Sequence, residues 1–359
     1  MPCASTCAFC NYCARDFRSL SLHCNAAMGA LMRVLVVGGA GYIGSHICKA
    51  LAERGDTPIV LDNLSRGHRH AVKWGPLIEQ DVRNVSAVTQ AMSDQGIDAV
   101  MHFAANIEVG EGQREPLAFW DNNVAGVVAL LKAMERSDVR HLVFSSTCAV
   151  YGEPQALPIT EREPRTPVNV YGQTKHVVEL MLEDVSSIGA LKYAALRYFI
   201  AAGASPDGEI GEEHDPETHL VPNALKAAAG LGGPMHLFGD DYDTPDGTCV
   251  RDYIHVMDLA QAHLQALDRL REGSASFACN LGTGTGISVK EILDAVEAVT
   301  GNPVPHTISP RRVGDAAQLV SDTCLARDLL NFTPTYSDAK TIIEHAWAFH
   351  APRWGVSRD

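Results

Sequence analysis

Two hydrophobic regimes alternate along the first two hundred residues: short unbroken apolar runs, and longer stretches in which apolar residues recur at helical spacing. Arg33-Val34-Leu35-Val36-Val37 runs straight into Gly38, Gly39, Gly41 and Gly44. An apolar run ending in glycines predicts a buried parallel strand closed by a tight turn. A helix is predicted over 46–54, then a second apolar strand over 58–61 that ends at Asp62. The pattern continues with a strand at 77–81, a helix near 85–95, a strand at 99–103, a helix through 116–134, a strand at 141–145, a helix opening near Val170, and a strand at Lys192–Tyr198. This alternation predicts an α/β fold with a Rossmann-type, doubly wound parallel sheet. From about Ile200 glycine, proline and acidic residues dominate through Asp215, and 238–247 is again loop-rich. Shorter helices follow at 219–229, 256–270 and 289–299, which predicts a smaller α/β C-terminal lobe.

The glycines point to a ligand. Gly38, Gly41 and Gly44 form a G-x-x-G-x-x-G run. Gly38 suits a tight turn, Gly41 lets backbone approach a pyrophosphate, and Gly44 lets helix and strand pack closely, with phosphate at the helix N-terminus. Asp62 stands about 20 residues further on, where a carboxylate accepts hydrogen bonds from a ribose. Its charge repels a 2′-phosphate, so NAD is favoured over NADP. Asp81 and Phe103-Ala104-Ala105 close two further strands at their carboxyl ends, where cofactors bind in such sheets. The small Ala104 and Ala105 serve either close approach of a cofactor or simple packing. A second glycine run, Gly282-x-Gly284-x-Gly286, has no acid-ended strand after it and reads as a tight loop.

Composition narrows the class. The 359 residues are 46% hydrophobic and 20% charged, enough for a large core in one α/β domain or two associated ones. A net charge of -14 argues against nucleic acid and anionic membranes as partners. No stretch has the length and apolarity to span a bilayer, and none resembles a secretory signal. Five of the ten cysteines (Cys3, Cys7, Cys10, Cys13, Cys24) crowd the segment before Met32. The other five (Cys48, Cys148, Cys249, Cys279, Cys324) are scattered and read as buried thiols, which indicates a reducing cytoplasm. Cys10-x-x-Cys13 faintly echoes a zinc finger, but His23 and Cys24 are poorly spaced for its second half, so no metal is assigned. Residues 1–31 are expected to be a disordered extension, with Met28 and Met32 as downstream start candidates.

The chemistry is carried by Tyr171-Gly172-Gln173-Thr174-Lys175. Four residues apart on a helix, the phenol and the ammonium share a face. A nearby ammonium and a cationic nicotinamide both favour the phenolate, turning a side chain of pKa about 10 into a base. Thr147, after a strand ending in hydroxyl residues, can hold the same substrate hydroxyl. Hydride transfer from a secondary alcohol to NAD+ is the reaction class these residues suit.

GGAGYIGS, the Leu61-Asp62-Asn63 run, DNNVAG at 121–126, FSSTCAVYG, YGQTK, RYF, GTCVRDYIHVMDLA and RRVGD together resemble the extended short-chain dehydrogenase/reductase superfamily, and within it the UDP-glucose 4-epimerases. The resemblance runs from Met32 almost to the C-terminus. It implies interconversion of UDP-galactose and UDP-glucose through a 4-keto intermediate that turns between two hydride transfers. It implies Tyr171 as the base, Lys175 as its modulator and nicotinamide-ribose ligand, and Thr147 as the hydroxyl partner. NAD contacts would be Gly38, Gly41, Tyr42, Ile43, Gly44, Asp62, Asn63, Asp81, Val82, Phe103, Ala104, Asn123, Lys175 and Tyr198. Arg251 and Arg312 would meet the diphosphate of UDP and Asp315 its ribose, with forked cationic donors suited to phosphate oxygens. On this reading 32–199 is the NAD-binding domain and 200–359 mainly the UDP-sugar lobe, with some segments returning to the first. A homodimer through helices in 116–134 and 170–187 is also implied.

Several positions depart from the family pattern. Ile200 follows RYF where an Asn is usual, Val37 replaces a Thr before the glycines, and Gly112 replaces a Ser. Leu319 lies where residue size governs admission of N-acetylated sugars. Cys148 and Ala149 stand where dehydratases need an acid and a base, which argues against elimination of water. Two alternatives stay open: a UDP-sugar 4-epimerase acting on an N-acetylhexosamine, uronate or pentose, and a nucleotide-binding regulatory protein without turnover.

Overall fold

The computed structural model describes residues 31–312 and 315–356. The expectation for residues 1–31, including the Cys10/Cys13 pair, therefore lies outside the described residues but for Leu31. Elements run in the order β1 (Arg33–Val37), α1 (Tyr42–Arg54), β2 (Thr57–Asp62), β3 (Leu77–Glu79), α2 (Val85–Gln95), β4 (Ala99–His102), α3 (Val109–Arg114), α4 (Pro116–Phe119), α5 (Gly126–Arg136), β5 (His141–Thr147), α6 (Val170–Ser187) and β6 (Lys192–Tyr198). Then come β7 (Ile200–Ala202), α7 (Leu220–Ala228), β8 (Met235–Phe238), β9 (Val250–Arg251), β10 (Tyr253–His255), α8 (Val256–Arg271), β11 (Phe277–Leu281), β12 (Ile287–Ser288), α9 (Val289–Thr300), β13 (His306–Ser309), β14 (Gln318–Leu319), α10 (Cys324–Leu330) and α11 (Ala339–Arg353).

Among the described residues seven strands make one parallel sheet in the order β11-β6-β5-β4-β1-β2-β3, the doubly wound α/β architecture expected. The unbroken apolar run of β1 has a direct cause. Val34 and Val36 pack with Ile47, Leu51 and Leu259 on one face, while Leu35 and Val37 pack with Val88, Leu130 and Val178 on the other. Successive side chains point to opposite faces, so a strand covered on both must be apolar throughout. A further core joins α7, α9 and α11 through Leu225, Ile292, Val296, Ile342, Ile343 and Trp347. Late in the chain β11 returns to the central sheet, with Cys279 opposite Leu196 of β6.

Three expectations need correction. Helix α1 starts at Tyr42, four residues before the expected 46, so Tyr42, Ile43 and Gly44 belong to the helix rather than the turn. The stretch expected as one helix over 116–134 is α4, a π-helical segment at Trp120–Ala125, and α5. Cys324 is exposed rather than buried and Cys148 is half-buried; Cys48, Cys249 and Cys279 are buried thiols. Among the described residues no helix is long and apolar enough to cross a membrane.

Candidate active site

The site begins where β1 stops. Gly38 has φ +83, and a Cβ there would stand 2.6 Å from the backbone nitrogen of Ala104. A Cβ on Gly44 would meet the Gly38 carbonyl oxygen at 2.1 Å, so this glycine sets how closely α1 approaches β1. Gly41 is different: its Cβ would meet nothing nearer than 3.4 Å. It is the N-cap of α1 and brings no side chain to occupy the first-turn N–H groups, which leaves them for an anion. Asp62, at the end of β2, is buried with Oδ2 accepting from Ala40 N (3.0 Å) and Oδ1 from Leu64 N (2.8 Å). Burial raises its pKa, while those two N–H donors oppose the shift.

From this turn a cavity of about 1180 Å³ extends to the C-terminal lobe. That exceeds the roughly 300–1,000 Å³ of a site for one small ligand. It is lined by Gly38, Gly41, Tyr42, Ile43, Gly44, Asp62, Asn63, Val82, Phe103, Ala104, Thr147, Tyr171, Lys175, Tyr198, Arg251, Arg312 and Asp315. Two residues expected at the cofactor do not line it. The Asp81 carboxylate is taken up by Arg83, whose Nε (2.8 Å) and Nη2 (2.6 Å) donate to it and hold it well below the usual carboxylate range. Asn123 is buried as a brace, its Nδ2 donating to Asn106 O (2.9 Å) and Thr174 Oγ1 (3.1 Å). Its neighbour Asn122 lines the cavity instead. The π-helical segment carries both, and such widened turns recur at functional sites.

At the centre, Tyr171 and Lys175 lie on one face of α6 across from the end of β5. Lys175 Nζ donates to Ser145 O at 2.7 Å and sits 5.9 Å from the centroid of the Tyr171 ring. An ammonium has three N–H donors, so donors remain for a ligand in the cavity. Burial pulls the Lys175 pKa down to about 7, with Glu179 opposing. Burial also raises the Tyr171 phenol, assisted by Tyr198, while the nearby Thr147 hydroxyl draws it back. Without a bound cation the site thus favours neutral phenol, and the phenolate needs positive charge from Lys175 or a cationic ligand. Burial pushes Cys148 up to about 12, so it stays a thiol and is a weak acid for driving elimination.

A buried network behind α6 escaped the sequence reading. Glu179, one turn beyond Lys175, accepts from Arg197 Nε (2.9 Å) and Nη2 (2.6 Å), from Arg165 Nη1 (3.0 Å), and from Ser146 Oγ. Arg197 Nη1 also donates to Tyr151 OH (2.9 Å). A carboxylate four residues after the lysine was the one local signal. On the opposite wall, the Arg312 guanidinium stacks 3.9 Å from the centroid of Phe238, and Arg251 Nη2 stands 3.8 Å from Asp315 Oδ1. Ile200 lines the cavity where the family pattern has an amide. Leu319 does not line it; it packs against a cluster of Val150, Tyr151, Ile159 and Phe199. Gly112 has a steric reason, since a Cβ there would meet the Phe119 ring at 3.1 Å.

The sequence model of the NAD dependent epimerase/dehydratase family matches residues 34–282. A UDP-glucose 4-epimerase of Rhizobium leguminosarum bv. trifolii is 50% identical over 318 residues, covering 89% of this chain and 97% of that protein. The crystal structure of UDP-glucose 4-epimerase from Brucella ovis in complex with NAD superposes with a TM-score of 0.88 at 48% identity, over 91% of this chain and 99% of that one. The Bifidobacterium longum enzyme in complex with NAD+ and UDP gives 0.84 at 36% identity, over 89% and 98%.

Proposed function

The chain belongs to the NAD dependent epimerase/dehydratase family, within which we propose that it interconverts UDP-galactose and UDP-glucose at C4. The meeting of the glycine turn, Tyr171, Thr147, Lys175, Arg251 and Arg312 in one cavity carries this reading. The glycine cradle and the spare donors of Lys175 fit a dinucleotide, with Gly41 at the diphosphate, Asp62 at the adenosine ribose and Lys175 at the nicotinamide ribose. NAD, when bound, supplies hydride transfer at the sugar carbon. Arg251 and Arg312 hold the diphosphate of the nucleotide sugar and Asp315 its ribose, leaving the hexose free to turn. Tyr171 Oη accepts the proton of the C4 hydroxyl, with Thr147 Oγ1 fixing that hydroxyl, and returns it to the same oxygen to give the epimeric alcohol. The positive charge of Lys175 keeps the phenolate accessible.

In this reading 32–199 carries the dinucleotide and 200–359 mainly the UDP-sugar. A homodimer in the cytoplasm completes it, formed along the helices of 116–134 and 170–187, in which Leu117 and Leu180 are exposed apolar side chains. Light scattering tests the dimer. NMR of the purified protein with UDP-galactose and no added cofactor tests the reaction. UDP-glucose should appear, and Tyr171→Phe should lower the rate about 10²–10⁴-fold. Retained NAD with no conversion by the wild type would overturn the assignment in favour of another UDP-sugar.

A further inference from the structure

We propose that Glu212, His214, Glu217 and His219 form a site for a divalent transition metal of the zinc class at the rim of the cavity, a site that the reaction above does not require. Each offers one ligand atom, and these atoms lie within 4.8 Å of one another. His214 Nδ1 stands 3.5 Å from Glu212 Oε1 and 3.6 Å from Glu217 Oε2. His219 Nδ1 stands 3.1 Å from Glu212 Oε1 and 2.9 Å from Glu217 Oε1. Zinc bonds of about 2.0–2.1 Å place the corners of a tetrahedron about 3.3–3.4 Å apart. The two separations to Glu212 Oε1, 3.5 and 3.1 Å, straddle that edge; those to Glu217 reach different oxygens, Oε2 from His214 and Oε1 from His219, the latter a hydrogen bond.

A second observation points the same way. His214 Nδ1 is buried and hydrogen-bonds to nothing, although it faces two carboxylates. Its distances to them are too long for hydrogen bonds but suit two ligands flanking a shared ion. Glu217 is already fixed, its Oε1 accepting from Thr218 N (2.8 Å) and His219 N (2.9 Å). Two imidazoles and two carboxylates are a donor set for a zinc-class ion rather than for magnesium or calcium, which prefer all-oxygen shells. A divalent ion also balances the two carboxylates while leaving both imidazoles neutral.

All four ligands come from one loop, in the pattern E-x-H-x-x-E-x-H just before α7. Glu212, His214 and His219 line the cavity, and the His214 ring meets Tyr42 of α1 edge-on at 6.4 Å. A metal here would fasten the lobe loop beside the N-terminus of α1. The rival arrangement holds the same carboxylates with imidazolium protons alone.

The test uses the full chain with its cofactor, treated with a chelator, desalted and titrated with Zn²⁺ or Co²⁺. Cysteines of residues 1–31 are also metal-ligand types, so Cys10→Ser/Cys13→Ser is measured in parallel. We expect one equivalent per chain in both proteins, tetrahedral Co²⁺ absorption without a thiolate charge-transfer band, and affinity at least about tenfold weaker in His214→Gln and Glu217→Gln. Absence of stoichiometric metal in the wild type overturns the proposal. So does unchanged affinity in both cluster variants, or loss in the cysteine variant. If the cluster variants do not fold, the wild-type Co²⁺ spectrum decides: a thiolate band or no tetrahedral absorption overturns it. None of these readouts depends on epimerisation.

Discussion

The Lys175 nitrogen lies 5.9 Å from the centroid of the Tyr171 ring, one helical turn along α6, and its hydrogen bond to Ser145 O keeps it there. In the protein without cofactor, burial lowers this lysine to about 7. Between pH 7 and the ordinary lysine value of about 10.4, the unfolded chain binds a proton that the folded chain does not. Stability contributed by this position therefore rises with pH across that window, by on the order of 4 kcal/mol. Chemical denaturation of cofactor-stripped wild type and Lys175→Met at pH 7 and pH 10 checks it. The wild type should gain on the variant, and parallel behaviour refutes the account.

Gly41 and Gly44 should respond oppositely to alanine. A Cβ at Gly44 collides with the Gly38 carbonyl, whereas one at Gly41 meets only ordinary contacts. Gly44→Ala should lower the melting temperature of the cofactor-free protein. Gly41→Ala should leave it nearly unchanged yet weaken NAD, because its methyl group points where backbone must meet phosphate. Equal melting temperatures for the two variants would contradict this.

Ile200 fills its place in the cavity wall with an apolar side chain, and its backbone N–H is already committed to Asp252 O at 3.1 Å. Ile200→Asn keeps that backbone bond and adds a donor toward the diphosphate. A hydrogen bond to a charged group contributes about 1.5–3 kcal/mol. The Michaelis constant for UDP-galactose should fall about tenfold with turnover little changed, and an unaltered constant in steady-state kinetics would rule out this role.

Glu179 and Arg197 should couple strongly. Removing one member of a buried pair leaves an uncompensated charge and costs about 3–5 kcal/mol. Urea unfolding should show Glu179→Gln and Arg197→Met each destabilising, and the double variant less destabilised than the sum of the two. Strict additivity would remove the pair from any part in holding α6.

What the sequence revealed and what it hid follow from the range of the forces involved. The strands and the Gly38–Asp62 signature were legible because a parallel strand covered on both faces writes its burial into consecutive residues. The start of α1 was misjudged because glycine usually marks a turn; Gly44 is glycine for contact with Gly38, inside the helix. The π-helical segment has no local marker, so the inward turn of Asn122 was invisible. Ser146, Arg165, Glu179 and Arg197 form a network only after β5, α6 and β6 assemble. The metal-ligand cluster sits in a polar loop, where acids and histidines ordinarily signal only solvent.

The return of β11 to the edge of the central sheet has a consequence for synthesis. Until residues 277–281 leave the ribosome, β6 has unpaired backbone along one side. The central sheet therefore waits on a segment nearly eighty residues downstream, so its last pairing is non-local and comparatively slow. A chain stopped after β6 would carry an open parallel edge, the feature that draws strands of other molecules into aggregates.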